Sequence, residues 1–376
     1  MSQQPPAAAS RITLALCGDV MTGRGIDQIL PHPGDPTIYE PVLRSAADYV
    51  TLAERANGSI PIPVEPAYPW GEALALLDAV APDARLINLE TAVTASDTPW
   101  PGKFITYRMH PANLGCLTAA QVSCCTLANN HVLDWGYAGL QETVAELRAV
   151  GIRTAGAGAN LAEAAAPAVI ELAGKGRVLV FAWGHPSSGI PRAWAASALR
   201  PGINLLADLS ARTLAQVTAR LHAARQPGDL VVVSLHWGDN WGYAIPREHV
   251  VFARELVASG GADLIFGHSS HHPIGCEVHR GRLILYGCGD LINDYEGIGG
   301  YEAYQPDLGV IVLVTLEPRS GQLIRARLLP LRRRRLRLWR ATPDEARWLA
   351  RRLSDESREL GVQLELQPDG ALELRW

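Results

Sequence analysis

Short apolar runs rich in β-branched residues recur along the 376 residues at 12–17, 85–88, 122–127, 177–182, 230–235, 263–266 and 283–287, with helical patterns between them. Runs of that length separated by helices fit buried strands of an α/β layered domain. Between two of them, Leu140, Val144 and Leu147 share one face of a helix that ends at Gly151, and Pro246 opens another that stops near Gly260 and Gly261. From Leu308 the pattern changes to β alternation, with 309–316 and 323–329 separated by Pro318-Arg319-Ser320-Gly321, a hairpin composition. Consecutive parallel-type units followed by a late antiparallel block suggest two sheets packed face to face and flanked by helices.

Composition narrows the function classes. With 48% hydrophobic and 19% charged residues the chain can bury a sizeable core, which excludes a disordered binding tail. A net charge of −4 gives no global attraction to nucleic acid or to an anionic membrane. The longest apolar runs, such as 230–235 and 310–316, are too short to cross a bilayer, so no membrane segment is expected. Residues 1–10 carry no basic residue and read as a short disordered lead rather than a signal peptide, which makes the expected location cytoplasmic. Six cysteines, at 17, 116, 124, 125, 276 and 288, form no C-x-x-C pair and read as reduced, buried thiols. Cys124 and Cys125, adjacent on one strand, point to opposite faces.

The expected domain spans 11–317, with an Arg-rich extension of hairpin, helix and hairpin over 318–376. From Gly321 onward there are 13 Arg against 8 acidic residues. Thr342-Pro343-Asp344-Glu345 is a capping box, Gly361 ends the helix it opens, and Pro368-Asp369-Gly370 turns a small hairpin. The run Arg332–Arg335 reads as a solvated strand edge, with a polyanion contact as the minority reading.

Chemistry collects where the strands end. The first ends Gly18-Asp19-Val20-Met21-Thr22-Gly23-Arg24, the second Asn88-Leu89-Glu90-Thr91, and the third Ala128-Asn129-Asn130-His131. Later ones end His236-Trp237-Gly238-Asp239 and Gly267-His268-Ser269-Ser270-His271-His272. Taken singly, Asp19 is as readily a turn residue and His236 a hydrogen-bonded core histidine. Five strand ends delivering carboxylates, an amide and imidazoles to one edge point instead to a metal site, at the edge where α/β sheets place their sites. Oxygen and nitrogen ligands without thiolate suit one or two divalent ions, Mn, Fe, Zn or Mg, in hydrolytic service. His131, beside Asn130, is the candidate general acid. Arg24 and Arg108 are the candidates for holding an anionic substrate, since a guanidinium fork matches phosphate and carboxylate alike. Trp237, with Trp241 and Tyr243, is expected to wall the cleft.

At these motifs, together with Leu127-Ala128-Asn129-Asn130-His131-Val132-Leu133-Asp134 and Tyr286-Gly287-Cys288-Gly289, the chain resembles the CapA family of poly-γ-glutamate capsule proteins, themselves similar to calcineurin-type metallophosphoesterases. The resemblance implies a four-layer αββα fold and metal-dependent hydrolysis of a phosphoester or of a γ-glutamyl or other acidic-polymer linkage. By position it implies Asp19, Glu90, Asn130, His236, His268 and His271 as metal ligands, Glu90 as a bridging carboxylate, and Asp19 and His131 as catalytic residues. A second reading is non-catalytic, a polymer-binding or assembly factor in poly-γ-glutamate synthesis or export. The expected partner is a small molecule or an acidic polymer. Nucleic acid is not expected, because no aromatic residues interleave with Arg332–Arg335.

Overall fold

In the computed structural model residues 11–376 are described; the lead expected over 1–10 lies outside the described residues. Strands β1 (Ile12–Val20), β2 (Ala84–Leu89), β3 (Cys124–Thr126) and β4 (Arg153–Ala155) lie side by side in parallel. The chain then leaves them and builds a second sheet from β5 (Ala168–Leu172), β6 (Gly176–Gly184), β7 (Asp229–His236), β8 (Leu264–His268), β9 (Cys276–His279) and β10 (Arg282–Leu285), in the order β9-β10-β8-β7-β6-β5. Its centre is parallel, and antiparallel strands form both edges.

After β10 the chain returns to the first sheet. β11 (Asp290–Ile292) runs parallel to the last residues of β1, setting Asp290 against Asp19. β12 (Leu308–Leu316) pairs antiparallel with the earlier part of β1, from Ile12 against Leu316 to Cys17 against Ile311. β13 (Leu323–Arg333), β14 (Leu338–Arg340), β15 (Gln363–Leu366) and β16 (Leu372–Arg375) complete the order β15-β16-β13-β12-β1-β2-β3-β4, with β14 on β13. The Arg-rich segment 318–376 therefore does not stand apart. A boundary at 317 falls inside the β12–β13 hairpin of the main sheet.

Side-chain alternation explains the layering. Ile12, Leu14 and Leu16 of β1 meet Val178 and Val180 of β6 and Val232 of β7 in a core between the sheets. Ala15 and Cys17 face the other way, into a core shared with α1 (Ala47–Asn57), α2 (Ala73–Val80) and α3 (Gly136–Ala149). Val231, Val233 and Leu235 of β7 likewise pack under α4 (Ala211–Ala224) and α5 (Arg247–Ala258). Strands covered on both faces need apolar residues at every position, which is why these runs are continuous rather than alternating. Each fully buried Leu, Val or Ile contributes about 1.5–3 kcal/mol. The result is helix, sheet, sheet, helix, the four-layer αββα sandwich. Cys124 falls in the inter-sheet core and Cys125 in the helix-facing one, and all six thiols are buried and free. Helix α6 (Pro343–Ser357), opened by the Thr342 and Glu345 capping box, inserts Leu349, Ala350 and Leu353 into the inter-sheet core. Among the described residues no helix is long and apolar enough to cross a membrane.

One expectation for the arginine run fails. Arg333 is not at a solvated edge: it is 3% exposed and donates to the backbone carbonyls of Asp290, Leu291, Pro306 and Leu308. Its strand lies inside the sheet, where its side chain reaches carbonyls of the short β11 and of the chain entering β12.

Candidate metal centre

Asp19 sits where β1 is clasped from both sides, by Asn88 of β2 and Asp290 of β11. Its N–H donates to the Gly289 carbonyl at 3.0 Å. Gly18 makes this approach possible, since a Cβ there would lie 1.8 Å from that carbonyl oxygen. The Asp19 carboxylate accepts from Asn88 Nδ2 at 2.7 Å and from the Ser269 N–H at 3.1 Å. Ser269 holds a positive φ of 98°, a strained conformation for a residue with a side chain, which aims that N–H into the site.

Around Asp19 the other strand ends converge. One ligand atom each from Asp19, Glu90 and His236 lie within 4.8 Å of one another. His236 Nε2 stands 2.8 Å from Asn130 Oδ1 and 3.9 Å from Glu90 Oε1, and His268 Nδ1 stands 3.6 Å from Asp19 Oδ1. His271 is drawn slightly aside, with Nδ1 at 3.0 Å from both carboxylate oxygens of Asp290. All six residues expected as ligands thus reach one locality. Asp290 is the residue the sequence reading missed. It is fully buried and steadied by Asn293 Nδ2 at 2.7 Å. A carboxylate directly after Tyr286-Gly287-Cys288-Gly289 was the available signal.

The electrostatics fit a cation. Burial, then the Asp290 charge, pushes Asp19 up to about 7, and burial with Asp19 and Asp290 raises Glu90 well above its ordinary range. Burial lowers His268 to about 3 and, with its imidazole neighbours, lowers His236. Burial alone would lower His271, but the Asp290 carboxylate outweighs it and raises it. Carboxylates such as Asp19 and Glu90 that resist ionising, beside His236 and His268 held neutral, want positive charge between them. Glu90 Oε2 and His268 Nδ1 are buried with no hydrogen-bond partner, which is costly unless something else completes them.

His131 faces this cluster. Asp134 Oδ2 lies 2.7 Å from its Nδ1, and its Nε2 points to Glu90 Oε1 at 3.7 Å. Lys103 pairs with the other Asp134 oxygen. Burial, then the Lys103 charge, lowers His131 to about 4. Asn129, its neighbour, is structural: it donates to Asn88 and Leu89 and accepts the N–H groups of His131 and Val132.

The three residues expected to bind substrate make the following contacts. Arg24 is buried, its guanidinium bonded to Asp294, Glu40 and Tyr49 and stacked 3.6 Å and 4.4 Å from the ring centroids of Tyr49 and Tyr107. These contacts engage its donors within the protein, while the side chain also borders the opening beside His271. Arg108 donates to the carbonyls of Ser96 and Asp35 and lies over Trp135. Trp237 is buried under α5, stacked on His249, with its indole N–H on the Tyr286 carbonyl. Trp241 does line the opening, a cavity of about 220 Å³ beside His271 whose walls include Tyr49, Asn240, Tyr295 and Tyr301. Tyr243 instead packs on His272 and Tyr304.

This geometry can be set beside known proteins. Residues 13–295 match the family described as "Bacterial capsule synthesis protein PGA_cap". The chain belongs to the PGA_cap family. The match covers every residue of the cluster, from Asp19 to Asp290. A "Probable polyglutamine synthesis accessory protein" of Mycobacterium tuberculosis is 48% identical to this PGA_cap chain over 364 residues, 96% of each. "PGA biosynthesis protein CapA" of Bacillus subtilis is 24% identical over 75% of this chain and 63% of its own length. The crystal structure of a novel phosphatase from Mycoplasma pneumoniae covers 86% of this chain and 94% of that one at 12% identity and a TM-score of 0.47, a likeness too slight to bear on function.

Proposed function

We propose that this PGA_cap protein is a hydrolase dependent on a divalent metal ion, acting on a γ-glutamyl or other acidic-polymer linkage; its relatives include one described as a probable polyglutamine synthesis accessory protein and one described as a PGA biosynthesis protein. Asp19, Glu90, Asn130, His236, His268, His271 and the added Asp290 would hold one or two ions. When bound, such ions activate water and neutralise the charge that develops on an acyl or phosphoryl oxygen. The protein's own part is to seal and align. Asn88 and the Ser269 N–H fix the Asp19 carboxylate, and Asp134 fixes the His131 tautomer, leaving Nε2 to hold or hand over a proton at the leaving group. Tyr295, Trp241 and Tyr301 exclude water from one wall.

The observation that carries the reading is the aligned pair of His131 and Asp134, with Nε2 turned to Glu90. A protein that only gathers polymer has no use for an oriented proton-transfer group against a carboxylate and imidazole cluster. A phosphoester substrate remains the second choice, because the guanidinium groups of Arg24, at the cleft, and of Arg108 are already bonded to oxygens of the protein. The test is metal content by mass spectrometry with turnover of poly-γ-glutamate, a γ-glutamyl anilide and a chromogenic phosphodiester in added Mn²⁺. Near-stoichiometric metal, lost in Asp19→Ala and His236→Ala, with turnover falling at least 100-fold in His131→Gln while metal is retained, is the expected result. Metal-free protein inert with every added ion overturns it in favour of an assembly factor.

A further inference from the structure

Between 331 and 340 stand six arginines and no acid, the densest charge in the chain. Two are occupied: Arg332 pairs with Glu345, and Arg333 is interior. The other four, Arg334, Arg335, Arg337 and Arg340, form no ion pair among the described residues, and their guanidinium groups donate to none of them. The Arg337 Nε is buried without a partner. Other arginines are bonded, as Arg177 is to Asp229 and Arg325 to Glu373 on strands and Arg254 to Glu277 from a helix, and an unpaired one such as Arg153 stands alone rather than in a group of four.

The turn that presents them is held stiffly. Arg335 and Leu336 both have positive φ, 56° and 53°, a conformation that residues with side chains rarely adopt in succession. The buried Glu296 carboxylate accepts both of their N–H groups, the Arg334 N–H closes the turn on the Arg337 carbonyl at 2.9 Å, and the Tyr68 hydroxyl donates to the Arg335 carbonyl. Glu296 and Glu72, which takes the Arg340 N–H, spend their carboxylates on backbone rather than on the arginine heads. Arg337 lies 4.8 Å from the Trp339 ring centroid and 5.4 Å from that of Tyr68, with Arg335 5.9 Å from Trp339. These rings serve as supports for guanidinium groups, so they are poor platforms for nucleobases.

We infer that this turn is a docking surface for a carboxylate-rich polymer chain, separate from the metal cleft. Guanidinium forks pair with carboxylates bidentately. On a chain of net charge −4, attraction of a polyanion has to come from a local cationic patch such as this one. The surface is also tied to the cleft, because Glu296 under the turn is two residues from Ile298 on the cleft wall. A polymer anchored here gains effective concentration at the opening without occupying the cleft.

The experiment is fluorescence anisotropy of labelled poly-γ-glutamate of defined length with the full chain, at low and moderate salt and without divalent ions. Wild type is expected to bind, more weakly as salt rises. Arg334→Gln with Arg340→Gln, which alters only exposed side chains, should weaken binding several-fold with an unchanged melting temperature. Adding Arg335→Gln and Arg337→Gln should weaken it at least tenfold. A charge-matched control, Arg148→Gln, Arg212→Gln, Arg220→Gln and Arg280→Gln, should bind as wild type, and so should Asp19→Ala, which separates this surface from the cleft. Absence of wild-type binding at low salt, an equal loss in the control, or loss in Asp19→Ala with retention in the turn variants each overturns the inference. So does a single-stranded oligonucleotide that competes as strongly as the polymer, which would make the turn a nucleic-acid contact.

Discussion

A methyl group at position 18 has nowhere to go, because the carbonyl it would strike also accepts the Asp19 N–H and so sets β1 against β11. Gly18→Ala should therefore destabilise the protein by about 2–3 kcal/mol, read as a lower melting temperature, and lower its metal content in the same measurement. Asp19 itself gives a pH signature in chelator-treated protein. Its folded value near 7 stands above the ordinary carboxylate value of about 4. A carboxyl raised on folding contributes stability below the unfolded value and loses it as pH rises through the folded one. Asp19→Asn should thus gain in melting temperature relative to wild type between about pH 4 and about pH 7, with Mn²⁺ erasing the difference by restoring the wild type. No such divergence would mean that Asp19 ionises freely without metal. At this scale the clustered residues were readable because they stand at the ends of apolar runs; Asp290 was passed over because two residues separate it from the run 283–287 and it opens a short strand of its own, Asp290–Ile292. The partners of Arg24 were hidden for another reason: a guanidinium beside a glycine turn gives no sign that Asp294, far along the chain, pairs with it.

Strand parity carried more information than was drawn from it. Val231, Val233, Leu235 and Trp237 share one face of β7 and its continuation, the face under α5, whereas His236 shares the inward face with Val232 and Ser234. Counting by twos from the core would have assigned Trp237 to packing and kept His236 in the site. The same period cannot disclose Arg333, whose neighbours on β11 and before β12 are brought to it only by sheet order. It is a donor to carbonyls of two separate segments, so Arg333→Met should cost roughly 3 kcal/mol, leaving those carbonyls unsatisfied and freeing β11. Denaturant melts would report the loss, and metal content should fall with it as Asp290 loosens. A variant of unchanged stability would show the carbonyls to be satisfied by water.

As a whole, the molecule is two sheets whose facing sides form one core, closed at one end by α6. The layer order followed from the pattern of runs and from the family resemblance; the place of the final sixty residues did not, since composition set them apart and hydrogen bonding joins them to β12. A chain truncated after Glu317 leaves β12 without β13 and the inter-sheet core without Leu349 and Leu353. It should be insoluble or molten, with loss of near-ultraviolet circular dichroism; a cooperative melt from that fragment would mark 318–376 as dispensable. The seating of Ile12 against Leu316 has a further outcome in time. During synthesis β1 at first has only its early neighbour β2 to pair with, and its other flank waits for β12. The nascent chain must therefore hold one of its most apolar strands half covered until β12 has been made, and the cluster that needs Asp19 and Asp290 together can form only once β11 is present.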